Sequence, residues 1–139
     1  MPSSKVVVKK SEYIPGAPME SRPGVRDLKV LYPETGVETK TLIMGIVEIE
    51  PNSHSPLHRH NCEEVYFALQ GSGTIESEGV NYEFEAGDAI YNKENTNHRV
   101  YNTSNELLRL LVVGGIMFVG LVPDWPTRRP YEILEESGK

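Results

Sequence analysis

Disulfide chemistry, an excess of basic charge and a membrane-length apolar run are all missing from this chain of 139 residues. Its single cysteine, Cys62, allows no internal disulfide and favours a reducing compartment. The 14 basic residues against 20 acidic ones exclude the basic surface typical of nucleic-acid and anionic-membrane binders. The most apolar stretch, residues 110–122, contains three glycines and is too short to span a bilayer. We therefore expect a soluble, cytoplasmic protein that binds neither nucleic acid nor membrane.

Proline and glycine divide the chain into three parts. Four of the ten prolines lie in residues 1–25, which we expect to form an irregular N-terminal arm. This arm either crosses the domain or a partner subunit, or is a partly ordered tail. Residues 26–123 show short alternating segments with glycine-bearing turns, and no helical spacing is sustained before Pro130. They predict an all-β sandwich or barrel, followed by a short tail, 124–139, in which Tyr131–Ser137 forms at most a helical turn.

Nine short segments of the β domain are predicted strands. They are Asp27–Tyr32, Thr39–Glu50, Glu63–Gln70, Thr74–Glu78, Asn81–Glu85, Ala89–Tyr91, His98–Tyr101, Leu107–Val113 and Ile116–Leu121. A hairpin is predicted at Gly79. Around it, acidic residues alternate with Ile75, Tyr82 and Phe84, which predicts that these three side chains point inward.

The candidate chemistry lies in the histidines. His58 and His60 are two residues apart, so on a strand both imidazoles point to the same side, and Glu64 follows four residues later. Two imidazoles and a carboxylate are a common ligand set for a divalent transition metal. His98, on a distant predicted strand, supplies a fourth ligand if the sheet closes on itself. Single histidines are more often core or surface residues, and His54 is expected in a loop or at the rim.

These residues resemble the two cupin motifs. His58-Arg59-His60, three residues, Glu64, six residues and Gly71 match the first motif, HxH(x)3E(x)6G. Gly87, ten residues, His98, three residues and Asn102 match the spacing of the second, G(x)5PxGxxH(x)3N. Asn52, Lys93 and Asn95 replace a glycine, the proline and a glycine of the pattern. Asparagine tolerates the positive φ that such glycines adopt, so the turns are expected to survive.

The resemblance implies a cupin double-stranded β-helix, or jelly-roll barrel, that works as a homodimer. It implies one divalent transition metal, Mn, Fe, Ni, Co or Zn, bound by His58, His60, Glu64 and His98. Two open coordination positions would then accept a small-molecule ligand or substrate. The implied function is an isomerase, decarboxylase, lyase or dioxygenase acting on a small oxygenated acid or sugar derivative. The alternative is a non-catalytic cupin that binds or senses a small molecule.

Strand alternation gives expectations for the surroundings of the metal. Tyr66 lies on the same side of its strand as Glu64, either as an acid/base or hydrogen-bonding phenol or as a packing residue. Cys62, between the ligands, is expected to be a buried or rim thiol that points away from the metal. Arg109 either anchors a substrate carboxylate or lies on the outward face of its strand. Trp125 seals the end of the barrel or contributes to a dimer interface.

Overall fold

The computed structural model describes residues 5–16, 24–115 and 131–133. Within them lie two 3-10 turns, Lys10–Glu12 and Pro33–Thr35, and eleven strands. The strands are β1 (Ile14–Pro15), β2 (Val25–Leu31), β3 (Leu42–Ile49), β4 (His58–His60), β5 (Glu64–Gln70), β6 (Ser72–Ser77), β7 (Val80–Glu85), β8 (Ala89–Asn92), β9 (His98–Asn102), β10 (Leu108–Gly115) and β11 (Tyr131–Ile133). No helix in these ranges is long and apolar enough to cross a membrane.

The strands form two antiparallel sheets that pack face to face. The six-stranded sheet has the order β1-β2-β3-β10-β5-β8, and the five-stranded sheet has the order β11-β4-β9-β6-β7. Strands of both sheets contribute to one apolar core, including Ile49, Leu108 and Leu110 from the first sheet and Ile75 and Val100 from the second. This shared core explains why alternate residues along each strand are buried. The predicted all-β jelly-roll barrel is confirmed.

Pairing at the sheet edges differs from the sequence-based expectations. Ile14–Pro15, within the predicted arm, pairs with β2, so this part of the arm extends the six-stranded sheet. Tyr131–Ile133 is a strand paired with β4 rather than the start of a helical turn. A short edge segment takes its conformation from the strand beside it, which local propensity does not reveal. The predicted strand Ile116–Leu121 and Trp125 lie outside the described residues.

One predicted inward side chain is exposed. Ile75 and Phe84 are buried as expected, but Tyr82 is 55% exposed. Tyr82 is on β7, the outermost strand of its sheet, where no further strand covers the side chain. An inward-pointing side chain on an edge strand such as β7 is therefore not necessarily buried.

Asparagine takes the place of two motif glycines without changing the turns. Asn52 and Asn95 both have left-handed backbone conformations, with φ of 64° and 59°. Asparagine adopts this region more readily than other residues with a side chain. The expectation that Asn95 tolerates positive φ is therefore confirmed.

Asn102, the last residue of the second motif, fastens a loop to the core. Its buried amide nitrogen donates to the carbonyl oxygens of Ile49 and Glu106, both at 2.8 Å. Its amide oxygen accepts from the backbone nitrogen and the hydroxyl of Ser104. We expect Asn102→Leu to lower the free energy of unfolding by about 3 kcal/mol, because buried partners lose their hydrogen bonds. Urea denaturation measures this loss, and an equal loss for the exposed control Asn105→Leu would contradict it.

Candidate metal centre

Three buried histidines converge inside the barrel. β4 supplies His58 and His60, whose side chains point to the same side of the strand, and β9 supplies His98. His58 lies directly opposite His98 in the β4–β9 ladder. One ring nitrogen from each of the three lies within 4.8 Å of the others, close enough to hold a single metal ion. The structure thus brings together the three histidines that the motifs single out.

Backbone carbonyls fix the orientation of all three imidazoles. The contacts run from His58 Nδ1 to Pro56 O at 2.7 Å, from His60 Nδ1 to Cys62 O at 3.2 Å and from His98 Nδ1 to Thr96 O at 2.9 Å. A carbonyl oxygen only accepts hydrogen bonds, so each Nδ1 carries a proton. In neutral imidazole the lone pair is then on Nε2, the usual arrangement in a metal-ligating histidine whose other nitrogen is hydrogen-bonded.

Glu64 brings a carboxylate from the opposite sheet to the same point. Its Oε1 lies 3.2 Å from His60 Nε2 and 3.5 Å from His98 Nε2. His98 Nε2 is fully buried, and no described residue gives it a hydrogen bond. A buried nitrogen without a hydrogen bond destabilises the folded protein unless an ion or another group binds it. Three imidazoles, one of them with this unpartnered nitrogen, and a carboxylate fit a divalent transition metal.

The electrostatics of the cluster favour ligand-ready protonation states at two positions. Burial, together with nearby His98, lowers the pKa of His58 to about 3, so this imidazole is neutral. Burial alone would raise the pKa of Glu64, but its contacts with His60 and His98 outweigh burial and lower it. For His60, burial lowers the pKa, but contacts with Cys62 and Glu64 prevail and raise it to about 10. His60 must therefore lose a proton to serve as a ligand.

A cavity of about 350 Å³ leads to this cluster, and His58, His60 and Glu64 form part of its lining. Most of the remaining wall is apolar: Val25, Val47, Ile49, Val100, Leu110 and Val112. Tyr66 also lines it, as strand alternation predicts, and its ring centroid lies 6.2 Å from that of His98. The cavity is thus suited to a small molecule with an apolar body and a polar end at the histidines.

Tyr32 and Asp27 also line the cavity, and the sequence analysis did not identify either. A Cβ atom built on Gly45 would lie 2.9 Å from the carbonyl oxygen of Leu28 and 3.6 Å from the Tyr32 hydroxyl, so the glycine admits the backbone of β2 beside the phenol. Burial, followed by the nearby carboxylates of Asp27, Glu34 and Glu64, raises the pKa of Tyr32 to about 12. The phenol therefore remains a hydrogen-bond donor. Gly45 within an apolar strand is the sequence signal for the close approach of the Leu28 backbone, which neighbours Tyr32.

Three other candidates lie outside the cluster. The Cys62 sulfur lies 3.6 Å from His60 Nδ1, on the side of the ring away from Nε2. His54 packs its ring against Tyr101, with centroids 5.2 Å apart. Arg109 donates to Glu48 at 3.0 Å on the outward side of β10. Of the two alternatives for Arg109, the structure therefore supports the outward face of the strand rather than a substrate anchor.

Comparison with known protein families and sequences gives consistent matches. The Cupin domain family matches residues 45–114. Auxin-binding protein 1 of Arabidopsis thaliana is 32% identical over 120 residues, covering 69% of this chain and 61% of that protein. An uncharacterized protein of Methanocaldococcus jannaschii is 31% identical over 105 residues, covering 73% of this chain and 82% of the other. Dimethylsulfoniopropionate lyase DddW of Ruegeria pomeroyi is 35% identical over 63 residues, covering 45% of this chain and 41% of the lyase. The chain therefore spans about three fifths of the Arabidopsis protein and two fifths of the lyase.

Solved structures show the same fold. A predicted oxalate decarboxylase from Thermotoga maritima superposes with a TM-score of 0.68 and 28% identity, covering 80% of this chain and 99% of that one. The polyketide cyclase RemF from Streptomyces resistomycificus gives a TM-score of 0.73 over 96% of this chain and 89% of its own. At 19% identity, the second likeness shows the fold alone.

Proposed function

The chain belongs to the cupin family, and on that basis we propose that it is a metal-dependent enzyme acting on a small molecule. One divalent transition metal, Mn, Fe, Ni, Co or Zn, would be held by His58, His60, Glu64 and His98. The observation that carries the proposal is the convergence of three carbonyl-oriented imidazoles beside a buried carboxylate next to a cavity. When bound, such an ion supplies a Lewis-acidic or redox centre with positions for substrate oxygen atoms.

The cavity walls favour a small oxygenated acid over a sugar derivative as substrate, because most of the lining is apolar. The one Lys or Arg among the lining residues, Arg26, is paired with Glu48 and Glu50 at 3.0 Å. A substrate acid group would then be held at the histidine cluster, and we assign Tyr66 as the phenol that donates a hydrogen bond or proton to it. The family resemblance leaves isomerase, decarboxylase, lyase and dioxygenase chemistry as the reaction classes.

A second candidate function is binding without turnover. The match to auxin-binding protein 1 favours it, because the name of that relative describes a binding protein rather than an enzyme. An apolar cavity ending at a metal centre would serve either function. Conversion of a bound acid distinguishes the two, since only an enzyme changes the ligand.

The test combines metal content with turnover. Protein purified without an affinity column or added metal is expected to contain about one equivalent of metal by mass spectrometry. NMR-monitored incubation with a panel of small organic acids is expected to show one consumed. Tyr66→Phe should keep the metal and lose about 100-fold in rate, the typical contribution of a positioned acid or base. Binding of acids without conversion would select the second candidate, and failure to take up any metal would contradict the enzyme and leave a ligand-binding barrel.

We also infer that the protein forms a homodimer through the outer side of the six-stranded sheet. Val65, Phe67 and Leu69 project from β5 on this side, each 41% exposed, and Tyr91 of β8 beside them is 60% exposed. The neighbouring row Arg26–Glu48–Arg109 alternates in charge across three paired strands. Because these charges are already paired within the row, a second copy related by a two-fold axis covers the apolar side chains of β5 without meeting an unpaired charge there.

A further inference from the structure

A second cavity opens at the far edge of the barrel, between β7 and β8. These are the last strands of the five-stranded and six-stranded sheets, whereas the cavity above the histidines involves β2 and β3. The second cavity has a volume of about 460 Å³ and shares no lining residue with the first. We refer to it as the β7–β8 cleft.

The β7–β8 cleft is lined by both apolar and polar side chains and has a buried amide at its deepest point. Its lining residues are Ile75, Ser77, Tyr82, Glu83, Phe84, Asp88, Ala89, Ile90, Tyr91 and Asn92. Exposure falls from 55% at Tyr82 to 1% at Asn92. Tyr82 thus lies at the opening and Asn92 at the base, with aromatic and aliphatic side chains between them.

Asn92 is the polar group whose missing hydrogen bonds indicate a ligand in the cleft. Neither its amide oxygen nor its amide nitrogen has a hydrogen-bond partner among the described residues, although both are fully buried. Buried side-chain amides nearly always have partners, because leaving a donor and an acceptor unpaired is costly. Strand alternation points Asn92 to the inside of the barrel, where it lines the cleft. The missing partner is therefore expected to come from the cleft itself.

We propose that the β7–β8 cleft is a second binding site, for a small neutral molecule with adjacent hydrogen-bond donor and acceptor atoms on an apolar body. Carboxamides and lactams have this arrangement, and their N–H and C=O groups pair with both amide atoms of Asn92. The Ser77 hydroxyl offers one more polar contact, and Ile75, Phe84 and Ile90 accommodate the apolar body.

Charge sets this ligand apart from the acid proposed for the metal centre. The lining contains the carboxylates of Glu83 and Asp88 but no lysine or arginine. An anion entering the cleft would meet like charge and no counter-charge, so carboxylates are disfavoured. The site therefore selects neutral ligands, and its base adjoins the metal centre, because Asn92 lies directly opposite Glu64 in the β5–β8 ladder.

Benzamide and 2-pyrrolidinone are the probes for this site. Ligand-observed NMR and calorimetric titration of the full chain are expected to show both probes binding. Asn92→Leu should weaken binding at least about tenfold, the worth of one or two net hydrogen bonds. The matched control Asn81→Leu changes an exposed asparagine of β7 outside the cleft and should leave binding unchanged. Benzoate, with the same ring but a negative charge, should bind more weakly than benzamide.

Two further variants keep the test decisive. Tyr82→Ala removes the wall at the opening while leaving Asn92 in place, and should also weaken the probes if Asn92→Leu fails to fold. His58→Ala changes the other cavity and should leave probe binding intact, which separates this site from the metal centre. No binding at millimolar probe, or equal binding to wild type, Asn92→Leu and Tyr82→Ala, would overturn the proposal and leave only buried water in the cleft.

Discussion

His98→Ala is expected to abolish stoichiometric metal binding while leaving the barrel folded. The substitution removes an imidazole whose buried Nε2 has no hydrogen-bond partner among the described residues. Changes to groups that merely orient metal ligands cost 10- to 100-fold in affinity, so loss of a ligand is expected to cost at least about 100-fold. His60→Ala and Glu64→Gln should behave alike. Metal titration followed by mass spectrometry measures the loss, and circular dichroism reports on the fold.

His54→Ala is the matched control for these variants. Its imidazole is also hydrogen-bonded through Nδ1 to a carbonyl oxygen, that of Ser55, but its ring packs against Tyr101 rather than joining the cluster. Metal content should therefore stay at one equivalent. The ligand assignment fails if every cluster variant retains its metal. Complete unfolding of the cluster variants would instead mean that the metal is required for the fold.

Thermal stability provides a readout that needs no substrate. A ligand that binds only the folded state stabilises it by an amount that grows with the logarithm of ligand concentration. Wild-type protein should therefore melt at a higher temperature with added metal than with chelator. The difference should vanish in His98→Ala and persist in His54→Ala, which ties the stabilisation to the cluster rather than to the metal in solution.

The sequence predicted the cluster because its signals are local. A strand places residues two apart on one side, so His58 and His60 share a direction, and Glu64 and Tyr66 do so on β5. All four side chains are buried in the structure. Cys62 lies two residues from both His60 and Glu64, so an uninterrupted strand would point it to their side, but residues 61 and 62 form a bend between β4 and β5. Its sulfur therefore lies beside Nδ1 of His60, on the side of the ring away from Nε2.

The features that the sequence did not predict depend on contacts between distant segments. β11 pairs with β4 across some 70 residues of chain, and nothing in Tyr131–Ile133 identifies that partner. Tyr32 follows a register shift between Lys29 and Leu31. The alternation of buried and exposed residues along β2 therefore does not predict which side Tyr32 faces. Asn92 ends a strand of four residues, too short for its alternation to indicate a buried amide. Register and edge pairing are tertiary properties, which explains these gaps.

Phe67→Glu is expected to convert the proposed homodimer to monomer, with a dimer dissociation constant at least about 100-fold higher. Phe67 lies at the middle of the outer side of β5, flanked by Val65 and Leu69. A carboxylate there would be buried against a second apolar face without a partner, which costs far more than the lost contacts of the ring. Sedimentation velocity over a range of protein concentrations measures the change.

Val80→Glu tests whether the effect belongs to this surface. Val80 is 50% exposed on β7 of the other sheet, so its replacement adds the same charge at a similar exposure but away from the outer side of β5. The dimer should survive in Val80→Glu and dissociate in Phe67→Glu. Metal content should be unchanged in both variants, because Phe67 points away from Glu64 and Tyr66. A wild-type protein that is monomeric at tens of micromolar, or equal dissociation of the two variants, would refute this interface.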